Sequence, residues 1–176
     1  MAFNDNANPK VKTEKFKIYI DVSATTTPAW ELQGRGVESW TVVQNQDIDK
    51  KVDVLGLIDM TRGTAQPAQS GVSLALRKGS AFAEMLFDAW YSGDYSKLDN
   101  ISILQKFEFK DGESLTIDDP VKARLASGCM ISINSFNGEA GGNLLFDIDI
   151  HYSNQFTTGE MALDDGTTVT FVPDDT

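Results

Sequence analysis

The chain has 176 residues, enough for one domain with a substantial core, a single cysteine, and a formal net charge of −11. One cysteine excludes an internal disulfide and any cysteine-rich metal site, and the negative charge argues against binding nucleic acid by phosphate neutralisation. No apolar run is long enough to span a bilayer, so no membrane insertion is expected. The charge is also uneven: Arg124 is the last basic residue, and eight acidic residues follow it.

Residues 1–15 are polar, rich in asparagine and lack the apolar stretch of a signal peptide. They read as a flexible arm ahead of one domain spanning 16–176, in a protein folded in a cytoplasm. Phe16 to Val22 alternates, with Phe16, Ile18, Ile20 and Val22 on one face, which predicts a half-buried strand. Trp30-Glu-Leu-Gln predicts a short second strand, and Val37–Asn45, rich in β-branched and aromatic residues, a third.

Between Val37–Asn45 and a strand over Gly71–Arg77 lies a long inter-strand loop, Gln46–Gln66. Connections of this length are functional or disordered. Disorder suits it poorly, because it carries Ile48, Val52, Val54, Leu55, Leu57, Ile58 and Met60, which need burial against their own domain or another chain. Ser80 to Gly93 then repeats Phe82, Met85, Leu86, Ala89 and Trp90 at helical spacing, with Ser80 as N-cap and Gly93 just past the C-terminus. Its aromatic stripe reads as core.

From Ile101 the period returns to two. Asp111-Gly112 predicts a hairpin turn between Phe107 and Ile117. Gly128–Phe136 and Leu144–Tyr152 predict paired strands, the second with Phe146, Ile148, Ile150 and Tyr152 inward and Asp147, Asp149 and His151 outward. A last pair turns at Asp164-Asp-Gly166 and ends in Val169–Val172. The expected fold is mainly β: two packed antiparallel sheets, as a sandwich or barrel, with one flanking helix.

Chemistry is sparse. His151 is the only histidine, so a Ser-His-Asp or Cys-His site would need it, with Cys129 on a neighbouring strand. Asp47, Asp49 and Asp53 do not match a twelve-residue calcium loop and read as a solvated turn. Asp147 and Asp149 sit two apart on one strand face with nothing else converging on them. No catalytic, cofactor or metal site is expected.

The order of features resembles the major tail (tail tube) proteins of long-tailed bacteriophages. It runs from the alternating first strand through Trp30-Glu-Leu-Gln-Gly and Gly36-Val-Glu-Ser-Trp-Thr-Val. The long link, Gly71-Val-Ser-Leu-Ala-Leu and one helix follow, then Ser127-Gly-Cys-Met-Ile-Ser-Ile-Asn-Ser and Leu145-Phe-Asp-Ile-Asp-Ile. The resemblance covers roughly Phe16 to Val172. It implies a structural, non-enzymatic subunit that self-assembles into stacked, hexameric rings. These form a hollow tube of the virion tail, put together in the host cytoplasm, through which DNA passes without specific binding. Its implied partners are other copies of the chain and other tail proteins: tape measure, tail terminator and distal tail proteins. It assigns Gln46–Gln66 to contacts between subunits, and acidity to a lumen that repels phosphate, with Asp147 and Asp149 as candidate lining residues. The alternative is a carbohydrate- or receptor-binding β-sandwich of a phage baseplate or adhesin, with Trp30, Trp40 and Tyr95 as stacking platforms. A small hydrolase using Cys129 or His151 ranks last.

Overall fold

The computed structural model describes residues 16–23, 27–33, 41–46, 48–108, 119–138, 142–164 and 168–174. The expected arm over 1–15, the Asp111-Gly112 turn and Trp40 lie outside them. The strands are β1 Phe16–Asp21, β2 Trp30–Gln33, β3 Thr41–Val43, β4 Ile48–Val52, β5 Ile58–Arg62 and β6 Ala68–Ala75. After helix α1, Ala81–Ser92, come β7 Ile101–Phe107, β8 Val121–Gly138, β9 Leu144–His151, β10 Phe156–Asp164 and β11 Thr168–Pro173. The fold is mainly β and antiparallel, with one α-helix among the described residues.

Two sheets share one long strand. The first runs β2-β1-β7-β8-β10-β11 and the second β8-β9-β6-β3. The first half of β8 pairs with β7 and β10, and Met130–Gly138 pairs with β9. The strand begins at Val121, seven residues before the start predicted at Gly128. Gly128 is instead the bend where β8 changes sheets. Its φ is +71°, and a Cβ there would meet nothing nearer than 3.6 Å, so conformation rather than crowding selects glycine. The partner strand breaks opposite it, where the Ser127 N–H donates to the Gln155 carbonyl at 3.2 Å and Ser153 Oγ donates to the Ser127 carbonyl.

The main core lies between the sheets and under α1. Ile20, Ile103, Phe146, Ile148 and Ile150 are fully buried there with Leu86 and Ala89 of the helix. Phe146, Ile148, Ile150 and Tyr152 point inward as the alternation of β9 predicts. β1 departs from expectation, being buried on both faces. Its second face carries Tyr19 into a smaller cluster with Leu104, Ala123 and Met161. The first sheet curls, so that Trp30 of β2 and Phe171 of β11 both pack on this cluster.

Helix α1 is fixed at its N-terminus from two sides. Ser80 Oγ accepts from the Ala83 N–H at 3.2 Å, and the Glu31 carboxylate of β2 accepts from the Phe82 N–H at 2.9 Å and from Ser80 Oγ at 2.5 Å. A negative charge there also complements the helix dipole. Gly93 closes the helix in the left-handed region, φ +70°.

The opposite end of the core closes with polar groups. Tyr152 Oη donates to Gln69 Oε1 at 3.1 Å, Gln69 Nε2 donates to Gln33 Oε1 at 3.1 Å, and Arg124 donates twice to Gln105 Oε1, at 3.0 and 2.6 Å. Arg124 also stacks over Phe156, 4.2 Å from the ring centroid.

Candidate functional site

The segment Gln46–Gln66 is a β-hairpin rather than a structureless loop. β4 and β5 pair in register from Ile48 opposite Arg62 to Val52 opposite Ile58, and pair with no other strand among the described residues. The turn explains why the sequence signal was weak: it is built around Asp53 rather than an Asn-Gly pair. Asp53 Oδ1 accepts the N–H groups of Leu55 and Leu57 at 2.8 Å each, and Gly56 supplies φ +78°. Asp53 is thereby occupied in turn formation, and Asp47 lies outside the described residues. Among the described residues no three His, Cys, Asp or Glu side chains gather to hold a metal ion.

All seven apolar residues singled out in this segment are exposed on the chain, from 53% for Ile48 and Ile58 to 102% for Val54. They belong to neither core cluster of the described residues. Opposed residues of an antiparallel pair share a face and successive ones alternate. Ile48, Lys50 and Val52 therefore lie on one face with Ile58, Met60 and Arg62. Asp49, Lys51, Asp59 and Thr61 lie on the other, where Lys51 and Asp49 approach to 3.5 Å. Lys50 and Arg62 belong to the apolar face, a placement the sequence reading missed. The signal was the alternation within 48–52 and 58–62, legible once the segment is two strands.

The second candidate surface is the outer face of the second sheet. Asp147 and Asp149 both point outward from β9, as predicted, and each is tied to a different neighbour. Asp147 Oδ2 accepts from Ser135 Oγ at 2.7 Å and from Asn137 Nδ2 at 2.8 Å, both on β8. Asp149 Oδ1 accepts the Gly71 N–H at 2.8 Å. That glycine, φ +65°, sits in a bulge of β6 between Gln69 and Val72. β6, β9 and the second half of β8 contain no lysine or arginine, so the face is polar and acidic without a cation from these strands.

Cys129 and His151 occupy adjacent positions across β8 and β9, yet face opposite ways. Cys129 is fully buried, its Sγ 3.7 Å from the Ala126 carbonyl, and burial pushes the thiol's pKa up. His151 is exposed, with Nε2 3.3 Å from Ser132 Oγ. A buried thiol with a raised pKa is a poor nucleophile, and the imidazole cannot reach it through the sheet. Trp30 packs on the smaller core cluster, whereas Tyr95 opens a 3-10 turn after α1 and stays 48% exposed. No helix among the described residues is long and apolar enough to cross a membrane.

No protein-family model and no curated protein matches the chain. Solved structures do. A chain from the PVC sheath/tube terminator of an extracellular contractile injection system, in its extended state, aligns with a TM-score of 0.52 at 12% identity, covering 86% of this chain and 97% of that one. A chain of the anti-feeding prophage baseplate, 6-fold symmetrised, aligns with a TM-score of 0.50 at 8% identity, covering 86% and 95%. The sheath-tube complex of the PVC system aligns at 0.47 and 12% identity, covering 93% and 100%. The protein thus shares its fold with the terminator and baseplate chains along most of their length.

Proposed function

We propose that this chain is a structural subunit that assembles with copies of itself into stacked, hexameric rings forming the hollow tube of a phage tail. The carrying observation is the hairpin β4–β5, a well-formed element with seven exposed apolar side chains that join neither core cluster of the described residues. A two-stranded hairpin is marginally stable by itself, and a contiguous apolar surface of this kind marks an interface. Burying a Val, Leu, Ile or Met side chain contributes about 1.5–3 kcal/mol, so seven give on the order of 10–20 kcal/mol before association costs of about 4–15 kcal/mol. Over most of these ranges the gain exceeds the cost, which supports assembly. The fold shared with a terminator and a baseplate chain supports placing the assembly in a tail.

In this reading the hairpin reaches a neighbouring subunit through Ile48, Val52, Val54, Leu55, Leu57, Ile58 and Met60. The cation-free face of the second sheet, with Asp147 and Asp149, lines the lumen, where carboxylates keep passing DNA from sticking. Tape measure, tail terminator and distal tail proteins are the further partners, and the subunits assemble in the host cytoplasm.

The test is sedimentation velocity with negative-stain electron microscopy of the full chain and of a variant lacking Asp49–Met60. The full chain should form rings or tubes with sixfold symmetry at high concentration, and the deletion should remain a soluble, β-rich monomer. A full chain that stays monomeric and binds glycans would sink the proposal. A deletion that unfolds globally would return the hairpin to its own domain.

A further inference from the structure

The hairpin has two faces, and the one carrying most of the apolar area also carries Lys50 and Arg62 with no acid among them. Neither cation has an ion-pair partner among the described residues, since the hairpin's one salt bridge joins Lys51 to Asp49 on the other face. A face of this composition fits an apolar surface edged with carboxylates.

The protein carries one. Between α1, the end of β1 and the start of β7 lies an open groove of about 470 Å³, with Val22, Met85 and Ile101 among its apolar lining and Asp21, Glu84, Asp88 and Asp99 around it. None of these four carboxylates has an ion-pair partner among the described residues. Lys97 is the groove's one basic residue among the described residues. The neighbouring groove across Glu84 and Asp88 suits the hairpin less well, because Arg77 and Lys78 line it.

The hairpin and the groove are separate patches of the chain. The hairpin joins β6 at Ala68, with Asn45 Nδ2 donating to the Gln66 carbonyl at its root, 3.0 Å. The other end of β6, at Ala75, leads into α1. Eight residues of strand, about 25 Å, separate the two ends of β6. Two such different patches allow a heterologous contact: each copy offers a hairpin and a groove, the arrangement that a ring or a stack requires.

We infer that the apolar, cationic face of the hairpin of one copy seats in the acidic groove between α1 and the start of β7 of the next. The occupant is a second copy of this chain. This assignment rests on the assembly reading above and adds the site that receives the hairpin. Met60, Ile58 and Val52 cover the groove's apolar floor, while Lys50 and Arg62 meet the carboxylates along its edge, which sets register and excludes the basic groove beside it.

A charge exchange tests it. Lys50→Glu with Arg62→Glu, in the full chain, should raise the concentration needed for assembly at least about tenfold. Asp88→Lys with Asp99→Lys, on the groove side, should do the same. These positions avoid Glu84 and Asp21, whose carboxylates accept backbone N–H groups of Gly79, Ser23 and Ala29. Combined in one chain, the four substitutions should restore assembly to within about threefold of wild type, with circular dichroism confirming the fold of each variant. Penalties that simply add in the combined chain would overturn the groove assignment. If the hairpin deletion abolishes assembly while the charge exchange fails to rescue, the groove is wrong and the assembly reading stands; if the deletion assembles normally, that reading falls first.

Discussion

At the scale of single residues, Asp149 and Gly71 are the pair on which the outer face of the second sheet depends. The bulge in β6 leaves the Gly71 N–H out of the strand ladder, and the Asp149 carboxylate accepts it at 2.8 Å. Asp149→Ala should therefore cost about 0.5–1.5 kcal/mol in denaturant unfolding, the net worth of one solvent-accessible hydrogen bond. Gly159 is constrained in another way. A Cβ there would lie 2.2 Å from the Val172 carbonyl oxygen and 2.9 Å from the Phe171 ring, and the oxygen belongs to a paired strand that cannot yield. Gly159→Ala is expected to destabilise by about 2–4 kcal/mol and to loosen β11, seen as early amide exchange over 168–173.

Tyr152 gives the fold a pH limit. Burial pushes its phenol up to about 12 from an ordinary value near 10, and burial likewise raises Tyr19, with the Glu108 charge adding to it. The neutral phenols stabilise the folded chain fully below pH 10. As pH rises from 10 toward 12, unfolding lets Tyr152 ionise, and stability falls by about 1.4 kcal/mol per pH unit in that window, with Tyr19 adding in the same direction. Thermal melts between pH 9 and 12 should show this decline, and it should be shallower in Tyr152→Phe. An unchanged slope would mean that the buried phenol does not govern alkaline unfolding.

At the scale of elements, α1 and the hairpin are opposites. The helix has a cap at each end and a second-side anchor in Glu31, and it buries Phe82, Ala83, Leu86 and Ala89. Its outward aromatic residues are more exposed than a core stripe: Trp90 is 41% exposed while packing on Phe136 at 4.6 Å, and Tyr91 is 77% exposed. Glu31→Ala removes both the helix-terminus acceptor and the Ser80 contact, and should cost about 1–2 kcal/mol. The hairpin has a good turn and no core. Amide exchange should be fast over 48–62 in the monomer and become protected on assembly; protection already present in the monomer would contradict the assembly role.

For the whole molecule, the placement of charge and apolar area matters more than their totals. In the proposed assembly, Asp147 and Asp149 on the second sheet serve the lumen, and the carboxylates around the α1 groove meet the cationic hairpin. Particles whose tubes carry Ser73→Lys and Ser132→Lys, which add cations beside Asp147 and Asp149, should release DNA more slowly at low salt than at high salt. Wild-type release at both would remove this face from the lining.

Much of the fold was legible in the sequence because the signals were local. Alternation placed Phe146, Ile148, Ile150 and Tyr152 inward on β9, helical spacing with Ser80 and Gly93 bounded α1, and the expected last strand pair is β10 with β11, the predicted turn residues Asp165 and Gly166 lying outside the described residues. The apolar content of Gln46–Gln66 was likewise plain in the sequence, and the structure leaves all seven of those side chains exposed. Burial of β1 on both faces was not legible, since Tyr19 reads as an outward residue until the first sheet curls back over it. Nor was the reach of β8: Gly128 looks like a strand boundary, and only pairing with β7, β9 and β10 makes it the bend of one strand serving two sheets. Tertiary structure also decided the faces of the hairpin. Setting Lys50 and Arg62 beside Ile58 and Met60 depends on the register across the Asp53 turn, a relation between strands that no single stretch of sequence carries.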